Sequence, residues 1–88
     1  MSDLAPTAVA MCRYLVSNVV DDADAVQIDI STPDTHTDND TVRLDVQVAQ
    51  GEMGRVIGKR GRVANSIRTL VRAAGSRDDV DIEVEFVD

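Results

Sequence analysis

The chain has 88 residues, 43% of them apolar and 28% charged, a balance that allows one domain with a simple core and excludes a disordered chain. Nine Lys and Arg against sixteen Asp and Glu give a formal charge of −7. The single cysteine, Cys12, and single histidine, His36, exclude an internal disulfide and a cysteine- or histidine-cluster metal site, and no apolar run approaches the ~20 residues of a membrane span. The N-terminal Met-Ser-Asp-Leu-Ala-Pro carries no basic region of a signal peptide, so the expected compartment is the cytoplasm.

Residues 4–20 are predicted to form a helix, because Leu4, Ala8, Met11, Cys12, Leu15, Val16 and Val19 follow the spacing of one apolar face. Pro6 falls in its first turn, where a missing N–H is harmless. Cys12 lies on the buried stripe and reads as a structural thiol. Strands are predicted at 25–31 and 41–49, where Val26, Ile28 and Ile30, then Val42, Leu44, Val46 and Val48, alternate with polar residues. The polar segment 31–40 reads as their hairpin loop, with His36 on it as a surface residue. A short helix at 52–57 carries Met53, Val56 and Ile57. Gly58-Lys59-Arg60-Gly61 follows. A longer helix at 62–75 carries a stripe of Val63, Ile67, Leu70, Val71 and Ala74, and Gly75 is expected to end it. A third strand, 80–87, alternates Val80, Ile82, Val84 and Phe86 with acids.

The order α-β-β-α-α-β, spanning 1–88 as one domain, predicts an α+β fold. Its three-stranded mixed sheet would have three helices packed on one face. A crossover through two helices places the last strand parallel to the second.

Charge is distributed unevenly. Residues 51–77 hold seven of the nine cations (Arg55, Lys59, Arg60, Arg62, Arg68, Arg72 and Arg77) and one acid, Glu52, a local charge of +6 that leaves −13 elsewhere. Such a segment is either a localised anion-binding surface or an ordinary solvated helix face. The run Gly54-Arg55-Val56-Ile57-Gly58-Lys59-Arg60-Gly61-Arg62 favours the first. Two glycines bracketing two cations allow a sharp turn and close backbone approach, and the unpaired N–H groups of the next helix favour an anion. It is not a nucleotide P-loop: three residues, not four, separate Gly54 from Gly58, and Lys59 is followed by Arg60 instead of a hydroxyl residue.

Val56-Ile57-Gly58-Lys59-Arg60-Gly61, set between two helices in this element order, resembles the V-I-G-x-x-G signature of type II KH domains. With the segment Met53–Arg62, the whole chain is similar to the small stand-alone bacterial KH proteins of the KhpA/YlqC family. The resemblance implies single-stranded RNA binding, as an RNA chaperone or post-transcriptional regulator, without cofactor or metal. Carried over by position, Gly58, Lys59, Arg60 and Gly61 hold the sugar–phosphate track, Ile57 and Val63 line the adjoining groove, and Arg55 and Arg62 add flanking charge. It also implies a homodimer, or pairing with a larger KH protein of the KhpB (Jag/EloR) type. Ala64 stands where many KH domains carry Ile or Leu.

The solvent face of the predicted sheet sets Asp29, Asp45, Asp81, Glu83 and Glu85 against Arg43, which would repel phosphate. Tyr14 and Phe86 are the only aromatic residues, too few for a stacking platform. An enzyme is not expected, since the only His lies in a polar loop and the only Cys on a buried stripe. A protein–protein module on a KH scaffold is the alternative that the −13 outside the basic segment supports.

Overall fold

Val42, Leu44 and Val46, alternate residues of one strand, are each at most 2% exposed, and the fold is assembled on them. The structure, a computed structural model, describes residues 5–32, 41–58 and 61–87. That strand is β2 (Thr41–Gln47). It sits between β1 (Gln27–Ser31) and β3 (Asp81–Phe86). β1 runs antiparallel to it, with Ile28 opposite Val46 and Ile30 opposite Leu44. β3 runs parallel to it, with Val42 beside Ile82 and Leu44 beside Val84. The three helices are α1 (Pro6–Ser17), α2 (Met53–Ile57) and α3 (Arg62–Gly75), and all three pack on the apolar face of the sheet. The α-β-β-α-α-β order and the parallel third strand are those the patterning predicts.

The core is built from small aliphatic side chains. Ala8, Cys12 and Val16 of α1, Val56 of α2 and Val71 of α3 are fully enclosed with Leu44 and Val46. Each buried Val or Leu contributes about 1.5–3 kcal/mol, so a core of this size needs most of its members. α1 lies alongside α3, and α3 lies against β3.

Several boundaries differ from the sequence reading. α1 stops at Ser17, not at residue 20, because Asn18 turns back on it: its side-chain amide donates to the Tyr14 carbonyl at 2.7 Å and its N–H to Tyr14 and Leu15. Val20 remains buried past the helix end. Ala25 belongs to a 3₁₀ turn at Ala23–Ala25, so β1 starts two residues later than the predicted 25. β2 ends at Gln47 and β3 spans 81–86, each two residues shorter than predicted. α2 begins at Met53, with Glu52 as its N-cap, and α3 matches its predicted limits.

One expectation within α3 is corrected. Leu70 is 48% exposed; the buried stripe is Ala64, Ile67, Val71 and Ala74. Gly75 is the last residue of α3, as expected, but its backbone is right-handed helical and a separate 3₁₀ turn follows at Ser76–Asp78. The left-handed residue that stops it is Asp79, at φ 58°. Glycine is needed at 75 for another reason: a Cβ there would lie 2.4 Å from Cγ1 of Ile82. Leu4, most of the polar loop with His36, and Lys59 and Arg60 fall outside the described residues.

Candidate nucleic-acid interface

α2 is only five residues long, and its last turn feeds directly into a bend. The Gly58 N–H donates to the Gly54 carbonyl and the Gly61 N–H to the Ile57 carbonyl, both at 2.7 Å. A Cβ on Gly58 would stand 2.7 Å from the Gly54 oxygen, closer than side chains tolerate. Gly61 takes φ +77°, a left-handed conformation that other residues adopt only at a cost. Two glycines are therefore required for two different reasons, one steric and one conformational.

Gly61 is the N-cap of α3. Its carbonyl accepts the Asn65 N–H at 2.8 Å, the first bond of the helix. The N–H groups of Arg62, Val63 and Ala64 precede that bond and have no intrahelical acceptor. The cap has no side-chain acceptor on it and the first turn has no acid. The positive end of the α3 dipole thus opens at the bend.

The candidate side chains divide. Arg62 is exposed beside the bend, and Ile57 is 47% exposed while its neighbour Val56 is fully buried. Val63 packs partly against the core cluster. Arg55 is turned toward another part of the chain: its Nη1 lies 2.8 Å from Oδ1 of Asp21. The same loop is held by Glu52, whose carboxylate accepts the N–H groups of Asp21 and Asp22. Arg55 is therefore engaged with the 21–22 loop, whereas Arg62 opens to solvent.

Sequence reasoning overlooked a second polar feature. Asn65 sits one turn after Gly61, and its Nδ2 lies 3.9 Å from where a Gly61 Cβ would be. Its Oδ1 accepts from Arg68 Nη1 at 3.0 Å. Arg68 Nε donates to the Val84 carbonyl of β3 at 3.1 Å, and its guanidinium lies 5.2 Å from the Phe86 ring centroid. The spacing Gly61, Asn65, Arg68 (i, i+4, i+7) was the available signal, since it places all three on one helix face.

The open face of the sheet has the opposite sign. Asp29, Asp45 and Glu85 are consecutive in one cross-strand row. Arg43 pairs with Asp45 at 2.9 Å, and that bond, with the charges of Asp45, Glu85 and Glu83, raises the guanidinium above its usual range. Among the described residues no group of three or more His, Cys, Asp or Glu is placed to hold a metal ion.

The sequence model of the family described as KhpA/KhpB, KH domain, matches residues 10–86, from within α1 to the last residue of β3. The chain belongs to this KhpA/KhpB KH-domain family. Its similarity to individual members runs nearly end to end. A protein of Listeria monocytogenes named RNA-binding protein KhpA is 42% identical over 74 residues, covering 84% of this chain and 91% of the relative. One of Chlamydia trachomatis with the same name is 35% identical over 75 residues, covering 85% and 90%. One of Borreliella burgdorferi, again so named, is 29% identical over 80 residues, covering 91% and 92%. In this KH domain the matched span contains the whole α2–bend–α3 unit and the sheet edge that Arg68 reaches.

Proposed function

We propose that the chain binds single-stranded RNA, with Gly58, Lys59, Arg60 and Gly61 seated on the sugar–phosphate backbone. The observation that carries this reading is the bend itself: two glycines required by geometry, opening onto an uncapped helix N-terminus within the concentrated basic segment. Arg62 adds charge beside it. Arg55 joins only by releasing Asp21. Ile57 offers an exposed apolar side chain to a base, and Val63 supports the wall behind it. The acidic sheet confines RNA to the helical side. The names of the relatives support the same conclusion, and the role that fits is that of an RNA chaperone or post-transcriptional regulator in the cytoplasm. No helix among the described residues is long and apolar enough to cross a membrane.

The test is a Lys59→Asp, Arg60→Asp double variant, with binding of short single-stranded RNA followed by fluorescence anisotropy. Binding is lost while circular dichroism is unchanged. For the wild type, log K falls against log salt by about 0.7 per phosphate neutralised. A double variant that binds as well as wild type removes the assignment.

One observation favours an added protein-binding role. Tyr14 is 67% and Leu70 48% exposed, and a shallow apolar groove on α1 is lined by Pro6, Thr7, Ala10, Met11 and Tyr14. A second copy, or a larger KhpB-type protein, is the partner this reading assigns. Partners that persist in a pull-down after RNase treatment support it, and their loss on RNase treatment counts against it.

A further inference from the structure

Arg68 is fixed more firmly than any other cation of the basic segment among the described residues. Its Nε is bound to the Val84 carbonyl, its Nη1 to Asn65 Oδ1, and the Phe86 ring lies under its guanidinium. Both acceptors are neutral, so the positive charge is oriented without being cancelled by them. Arginine has five N–H donors, and these two bonds use two. Among the described residues no acceptor meets Nη2.

Its position matters as much as its geometry. Arg68 stands seven residues after Gly61, about 10 Å along the helix, on the face that begins at the bend. Asn65 connects the two, lying beside Gly61 at one end of its amide and bonded to Arg68 at the other. A chain gripped at 58–61 and running along this face meets Arg68 within the four nucleotides that such a bend clamps.

We infer that Arg68, held by Asn65, Val84 and Phe86, selects a nucleobase that presents two adjacent hydrogen-bond acceptors. Guanine offers O6 and N7 on one edge, and cytosine offers O2 and N3. Adenine sets an acceptor beside an amino donor, and uracil places an N–H between its two carbonyls, so neither matches a planar fork of donors. Arg68 is thus a base-selecting residue, distinct from the bend that holds the backbone. The inference rests on the RNA-binding reading above.

The experiment measures anisotropy of labelled hexauridine RNAs in which G, C or A replaces U at one position at a time. Wild-type protein binds G or C at one position about tenfold more tightly than A or U there. The G and C arms show which acceptor pair is read. Arg68→Lys keeps the charge and removes the fork: the preference for G or C over A or U falls to within about twofold. Asn65→Leu, at an exposed position, leaves Arg68 in place but frees its Nη1, and the preference shrinks even if Arg68→Lys does not fold. Equal binding of all four bases by wild type, or an undiminished preference in the foldable variants, overturns the inference and leaves the RNA-binding reading intact. Failure of wild type to bind any of the RNAs overturns both.

Discussion

Asp78 caps α1 from the far end of the chain: its Oδ2 accepts the N–H of Thr7, 71 residues earlier, at 3.0 Å, and also that of Ala8 at 3.2 Å. α1 has no side-chain cap of its own and no acid in its first turn, so the carboxylate supplies both the missing acceptor and the charge that suits the helix N-terminus. Asp78→Ala is expected to destabilise the fold by about 1–2 kcal/mol. In a domain of this size each kcal/mol lowers the melting temperature by roughly 4–8 °C, which thermal unfolding will register. Asp78→Asn keeps an acceptor and loses less.

Gly54 and Gly58 lie four residues apart and respond oppositely to the same substitution. A Cβ on Gly54 meets nothing within 4 Å, so Gly54→Ala stabilises α2 by about 0.5–1 kcal/mol through reduced freedom of the unfolded chain. A Cβ on Gly58 meets the Gly54 carbonyl at 2.7 Å, so Gly58→Ala costs about 1–3 kcal/mol and distorts the bend. Urea unfolding of the two variants separates the effects. Equal behaviour would show that the bend does not have the close backbone contact described.

Cys12 is fully buried, and burial pushes its thiol from 9.0 up to about 11, with Arg13 pulling weakly the other way. Below pH 9 the thiol is protonated folded and unfolded, and stability is unaffected. Between pH 9 and 11 the unfolded chain ionises first, so stability falls by roughly 2–3 kcal/mol in total. Cys12→Ala removes this part of the alkaline loss. At pH 8 a disulfide reagent labels Cys12 only as fast as the protein opens.

On the RNA-binding proposal, Arg55 reaches a phosphate only by leaving Asp21. Both partners of this ion pair are more than half exposed, so the pair itself adds little to stability. Asp21→Asn is expected to tighten RNA binding about twofold and to leave the melting temperature nearly unchanged. An affinity unchanged within error means that Arg55 takes no part.

Much of the architecture was legible because periodicity is a local property. Alternation in 41–47 and 81–86 and the 3.6-residue stripe of 62–75 follow from which side chains must leave water, whatever they pack against. Boundaries were less legible where a side chain competes with the backbone, as Asn18 does at the end of α1. Leu70 was misplaced because its spacing fits the apolar stripe, while the buried stripe runs through Ala64, Ile67, Val71 and Ala74 and leaves Leu70 at its edge. The glycines of the bend were readable from the motif. The commitment of Arg55 to Asp21 was not, since 34 residues separate them.

By itself the amino-acid order determined the element succession, the parallel third strand, the cationic bend and the acidic open sheet, because each depends on residue type at short spacing. Only the tertiary structure decided that Asp78 caps α1, that Gly75 makes room for Ile82, and that Arg68 is braced between α3 and the edge of β3. These are contacts between distant segments, and their geometry exists only once the helices have settled on the sheet.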